Sequence, residues 1–116
     1  MLKSKKIILV LVALIVAGGI LYSQSGMLTR NQLDRQVNSM IQRKDYQKMK
    51  KLSVNKSTYV FLKKLSADTK VSNTSDSQGG SDTLQYYVTS IGDKNVSVYM
   101  KKVSKISWRV NSIELQ

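Results

Sequence analysis

The chain has 116 residues, with no His, Cys or Pro, and 19 Lys and Arg against seven Asp and Glu, a formal charge of +12. That length suits one domain. The missing Cys and His exclude disulfides, thiolate metal sites, a cysteine nucleophile and the commonest general base, and the charge points to an anionic partner: nucleic acid, a membrane surface or an acidic protein.

The start reads as a membrane address. "MLKSKK" precedes "IILVLVALIVAGGILY", and residues 7–22 carry no charge. As a helix such a stretch is about 24 Å long, a little short of a ~30 Å hydrocarbon core. Lys3, Lys5 and Lys6 lie before it, and the positive-inside bias assigns them to the cytoplasm. The pattern predicts a cytoplasmic tail at 1–6, a single transmembrane signal anchor at 7–24 and an extracytoplasmic domain at 25–116. A cleaved secretory signal is the alternative, since Ala17, Gly18 and Gly19 follow an apolar middle. Against it, Ile20, Leu21 and Tyr22 continue the apolar run and no clean A-x-A site is present.

Helical spacing follows. Leu33, Val37, Met40 and Ile41 fall on one helical face, and Thr29 to Gln32 has capping-box spacing, which predicts a start near Thr29. The pattern slips at Lys44–Asp45, where a turn is expected, and resumes with Met49 and Leu52. A third helix is predicted behind an Asn55 or Ser57 cap, with Thr58, Phe61, Leu62 and Leu65 at helical spacing. Residues 69–73 read as a short edge strand, and 73–82, "NTSDSQGGSD", as a flexible loop.

Alternation marks the remainder as strands. Leu84, Tyr86 and Val88 form one face, Val96, Val98 and Met100 the next, and Ile106, Trp108 and Val110 the third. Ile113 and Leu115 fall on the other phase, so a bulge near Asn111–Ser112 is expected to turn both sets inward. The fold class predicted is α+β: an N-terminal transmembrane helix, then two to three helices packed on a three- to four-stranded antiparallel sheet. Amphipathic helices and half-buried strands each need the other's apolar face, and Trp108 is expected as a core anchor.

"KDYQKMKKL" after the first amphipathic helix, and a meander closing on "SWRVNSIEL", resemble the nuclear-transport-factor-2-like, cystatin-like fold. Asp45, Tyr46 and Lys48 carry the first match, and Trp108, Val110, Ile113 and Glu114 the second. The resemblance covers residues 29–116. This fold hosts enzymes, binders and scaffolds, and the polar 73–82 segment stands where members usually have more strand. In layout (short tail, one span, small outer domain) the chain resembles assembly factors of type IV secretion and Gram-positive conjugation channels. The role this implies is a non-enzymatic, membrane-anchored scaffold of such a complex. Two alternatives stay open: a solitary cell-surface binding module, related to the envelope, a phage or a plasmid, and a secreted basic protein freed by cleavage.

Binding is where the charge points. Between Arg30 and Lys70 eleven basic residues face three acids, a net of +8. Arg43, Lys44, Lys48, Lys50 and Lys51 crowd one window and are the expected contact to an anionic surface. Tyr87 and Tyr99 are expected on a sheet face left open for a protein partner, which includes a second copy of the chain. No catalytic, cofactor or metal-ligating residue is assigned, and no small-molecule substrate. Asp45 beside Tyr46 is the only pair resembling the Asp and Tyr of isomerase-like members, and its expected job is to break the helix. The aromatics Tyr86, Tyr87, Tyr99 and Trp108 could stack bases, but no recognisable nucleic-acid motif accompanies them.

Overall fold

The computed structural model describes residues 9–16 and 26–116. Residues 9–16 form helix α1, exposed at every position. Then come α2 (Met27–Gln42), α3 (Tyr46–Leu52), α4 (Lys56–Lys63), β1 (Val71–Ser72), β2 (Gly79–Gly80), β3 (Leu84–Ile91), β4 (Lys94–Ser104) and β5 (Ser107–Leu115). Among the described residues no helix is long and apolar enough to cross a membrane. The expected tail at 1–6 lies outside the described residues, and the expected anchor at 7–24 overlaps them only at 9–16.

Three helices pack on an antiparallel sheet of order β1-β3-β4-β5, with β2 also paired to β3. The α+β expectation therefore holds, with one more short strand than expected. That extra strand falls inside 73–82: Gly79 and Gly80 pair with Tyr86 and Gln85, so this segment is partly tied down rather than a free loop. A Cβ on Gly80 would lie 2.1 Å from the Leu84 carbonyl oxygen, which is why glycine stands there.

The residues of α2 divide into three stripes, and each does a separate job. Leu33, Val37, Met40 and Ile41 are buried in the core, as their spacing predicts. On one flank Arg30 pairs with Asp76 at 3.0 Å, Asp34 accepts from Thr74 Oγ1 at 2.5 Å, and Asn38 accepts from the Val71 amide at 2.8 Å. On the other flank Gln32 accepts from the Trp108 amide and donates to the Ile106 carbonyl. Gln36 likewise accepts from the Val110 amide and donates to the Trp108 carbonyl. Four helical residues rise about 6.0 Å and two strand residues about 6.8 Å, so two glutamines four apart can serve alternate residues of a strand. The sheet thus curls until both its lateral edges flank α2.

Those bonds and a few more cover the β5 edge and the β3 edge, while Gly79–Gly80 of β2 stay exposed. Beyond the glutamines, the β5 edge is covered by Val54, whose amide donates to the Ile113 carbonyl at 2.9 Å, and by Thr58 Oγ1, which accepts from the Leu115 amide. Thr58 in turn is held by the α4 cap, since its hydroxyl and its amide both donate to Asn55 Oδ1. The β3 edge is covered by β1 and β2 with Ser75 between them, whose amide and hydroxyl serve Val88. A covered edge offers no template for an added strand.

The start of the first helix and the faces of β3 need correction. The first helix begins at Met27, not near Thr29: Gly26 is the N-cap in the left-handed region, φ 81, and Thr29 is buried. The second concerns β3. Its inward residues are Tyr87, Thr89 and Ile91, while Leu84, Tyr86 and Val88 lie on the other face. The β3–β4 turn decides this. Ile91 pairs with Lys94, so the loop is two residues, with Gly92 first at φ 62, the place where a II′ hairpin turn takes glycine. A two-residue loop sets odd positions of β3 against even positions of β4, Tyr87 against Val98 and Thr89 against Val96. One residue of difference exchanges the faces. The buried Thr89 hydroxyl is satisfied by the Ser72 carbonyl and Thr74.

In β4 and β5 the alternation reads correctly at Val96, Val98, Met100 and Val110, all buried. The bulge falls where expected: Tyr99 pairs with Ser112 and Met100 with Val110. Asn111 is the extra residue, and Val110 and Ile113 both face inward. Trp108 is half-buried against the core rather than a full anchor, and Ile106 is exposed in the turn before β5.

Candidate functional site

Asp45 begins the site. After α2 the chain turns through Lys44 at φ 49, and the Asp45 carboxylate accepts from the Lys48 amide at 3.2 Å, capping α3. This is the helix-break role expected for Asp45. Tyr46 beside it is exposed, with Lys63 Nζ 5.7 Å from its ring centre. Asp45 lines the cleft that α3 borders and Tyr46 does not. α3 has seven residues and buries Met49 and Leu52, which commits one face to the core and turns Gln47, Lys48 and Lys51 outward.

Those outward residues form one wall of an open cleft of about 840 Å³, whose other wall is β4–β5. Five cations line it: Lys48 and Lys51 from α3, Lys101 and Lys102 from β4, and Arg109 from β5. The sole carboxylate in the lining is Asp45, already engaged as a cap, so the lining carries five positive charges against one negative. Among the described residues none of the five is ion-paired, the Arg30–Asp76 bridge lying elsewhere. Lys101 stands directly opposite Arg109 in the sheet. Like charges placed so repel. Lys102 Nζ lies 6.0 Å from the Trp108 ring centre. Concentrated, unpaired charge on a concave surface attracts and orients an anion.

Of the five residues expected to meet an anionic surface, the fold brings Lys48 and Lys51 into the cleft. Arg43, Lys44 and Lys50 are exposed outside it. Lys101, Lys102 and Arg109 escape a reading along the chain because only strand pairing carries them to Lys48. A signal exists nonetheless: "KKVSK" puts cations on both phases of a strand whose preceding residues alternate.

The expected partner face is divided. Tyr99 lies on the open side of the sheet, but Tyr87 is only 2% exposed and belongs to the core. Burial raises its phenol above the ordinary 10.0, against the opposing effects of Thr29 and Arg30. The two-residue turn puts Tyr86 in its place, ring centres of Tyr86 and Tyr99 being 5.5 Å apart. Among the described residues no group of three or more His, Cys, Asp or Glu side chains is gathered to hold a metal ion. Compared with protein-family models, curated proteins and solved structures, the chain matches none.

Proposed function

We propose that this chain is a non-enzymatic, single-pass membrane protein whose outer domain is a scaffold, holding an anionic partner in the α3–hairpin cleft. The observation that carries the reading is the cleft itself, five cations with no ion pair among the described residues around one helix-capping carboxylate. Evolution of a purely structural surface would not need Lys101 set against Arg109. The covered β5 edge restricts how a partner binds there: it meets side chains rather than pairing as a strand. The membrane part is supported by the uncharged run at 7–22 behind three lysines, and by the exposure of apolar α1 at every position. A helix apolar all round requires an apolar surrounding. The secretion or conjugation setting rests on layout, which resembles that of channel assembly factors.

Cell fractionation with protease shaving tests this reading. The full chain is expected in the membrane fraction, released only by detergent, with its domain digested from outside intact cells. Recovery of full-length chain in the soluble fraction, or protection of the domain until lysis, would refute it. For the complex, cross-linking should capture channel components, and capture of none removes the secretion setting.

A further inference from the structure

The tip of the β4–β5 hairpin turns apolar residues to solvent. Val103 is 53% exposed and Ile106 67%, and Lys102 and Lys105, exposed too, flank them. Val103 sits at the register shift between Lys102 and Ser104, and such irregularities re-aim a side chain. A tip made only to reverse the chain is polar. This one alternates grease and positive charge.

Its position in the fold is fixed by the glutamine bonds. Gln32 meets β5 between Ile106 and Trp108, and Gln36 between Trp108 and Val110. Two strand residues therefore match four helical ones, in the same direction. Extrapolated backward, Lys105 lies level with the first turn of α2. That is the end of the domain from which the chain leads back to the apolar run at 7–22. The β3–β4 turn at Asp93 lies at the other end of β4.

We infer that this tip is a second membrane contact, dipping Ile106 into the headgroup layer of an anionic bilayer while Lys105 engages its phosphates, with Lys102 and Val103 left to the lining of the cleft. The inference rests on the proposed N-terminal anchor, which brings the tip to that surface. Apolar residues framed by Lys bind at the headgroup boundary in this way, and juxtamembrane lysines are drawn to anionic leaflets. Two attachments at one end would hold the domain upright, with Asp93 pointing away from the bilayer.

The chain has no native Cys, so a single label can be placed at will. Full-length Ile106→Cys and Asp93→Cys, each carrying an environment-sensitive fluorophore, are reconstituted into vesicles of equal phosphatidylcholine and phosphatidylglycerol containing a nitroxide-bearing lipid. Both proteins should float with the vesicles. Quenching is expected at 106 and not at 93, and it should fall when phosphatidylglycerol is omitted or salt reaches 1 M, where the screening length shrinks to about 3 Å. Lys105→Glu, which leaves the cleft intact, should reduce the quenching without loss of flotation. Flotation with no quenching at 106, or equal quenching at both labels, overturns the inference and leaves the anchor standing. Failure to float overturns the anchor and the tip contact together. Shielding at 106 that depends on protein density rather than lipid assigns the tip to a second copy, and also overturns it.

Discussion

From Val96 to Met100, β4 buries every second residue and lies between β3 and β5. From Lys101 to Ser104 the same strand buries none. The two halves share a backbone geometry and differ in what their side chains meet. The first half faces α2 and places Val96, Val98 and Met100 in the core. The second half faces the open cleft, carries Lys101 opposite Arg109, and exposes Val103. One half is shaped by folding. The other carries like-charge repulsion and exposed apolar surface, neither of which stabilises the fold, and that is where a binding surface is to be sought.

The sharpest way to break this contrast is to change one isoleucine in each half of the hairpin. Ile113→Ala removes a fully buried side chain and should cost about 2–5 kcal/mol, read as a lower urea midpoint. Ile106→Ala should stay within about 0.5 kcal/mol of the parent. Equal losses would show that the tip belongs to the fold. Next in size, Gln36→Ala strands the Val110 amide and the Trp108 carbonyl and should cost about 1–3 kcal/mol. Hydrogen exchange should report it first at the Val110 amide. Unchanged protection there would mean that the glutamine ladder does not hold β5.

A third change should act with opposite signs on stability and binding. Arg109→Glu replaces repulsion with attraction toward Lys101, so stability should rise by about 0.2–1 kcal/mol while affinity for a polyphosphate probe falls. A variant weakened in both respects would contradict the assignment of Arg109 to the contact half. The smallest effect is one of pH. The folded-state Tyr87 phenol titrates above its ordinary 10.0 because it is buried. Its contribution is therefore complete below pH 10.0, and is lost as pH rises from there through the folded-state value, because the unfolded chain ionises first. Tyr87→Phe should remove that part of the alkaline loss in stability measured from pH 9 to 12.

Much of the folding half was legible in the sequence. Leu33, Val37, Met40 and Ile41 declare their face by spacing alone, the Asn55 cap follows from local chemistry, and the Asn111 bulge follows from the change of phase between Val110 and Ile113. Tyr87 and Tyr86 were exchanged because the faces of β3 depend on whether the loop after Ile91 has two residues or more, and "GDKN" accommodates either. Gln32 has only a capping-box reading along the chain and Gln36 has none, because nothing local says that a strand edge more than seventy residues away needs them. The cleft was half legible for the same reason: Lys48 and Lys51 are close in sequence, whereas Lys101, Lys102 and Arg109 join them only through β5.

The central claim is that the cleft binds an anionic partner through charges the fold does not require. Its most direct test is a photo-cross-linker at Gln47, an exposed lining position, in the full chain in intact cells, with one at Asp93 as reference. The account predicts a cross-linked species at 47 and not at 93, abolished by Lys48→Glu with Lys51→Glu and Arg109→Glu, while the urea midpoint of that triple variant is no lower than the parent's. Cross-links that survive the three reversals, or that form equally at 93, would contradict it.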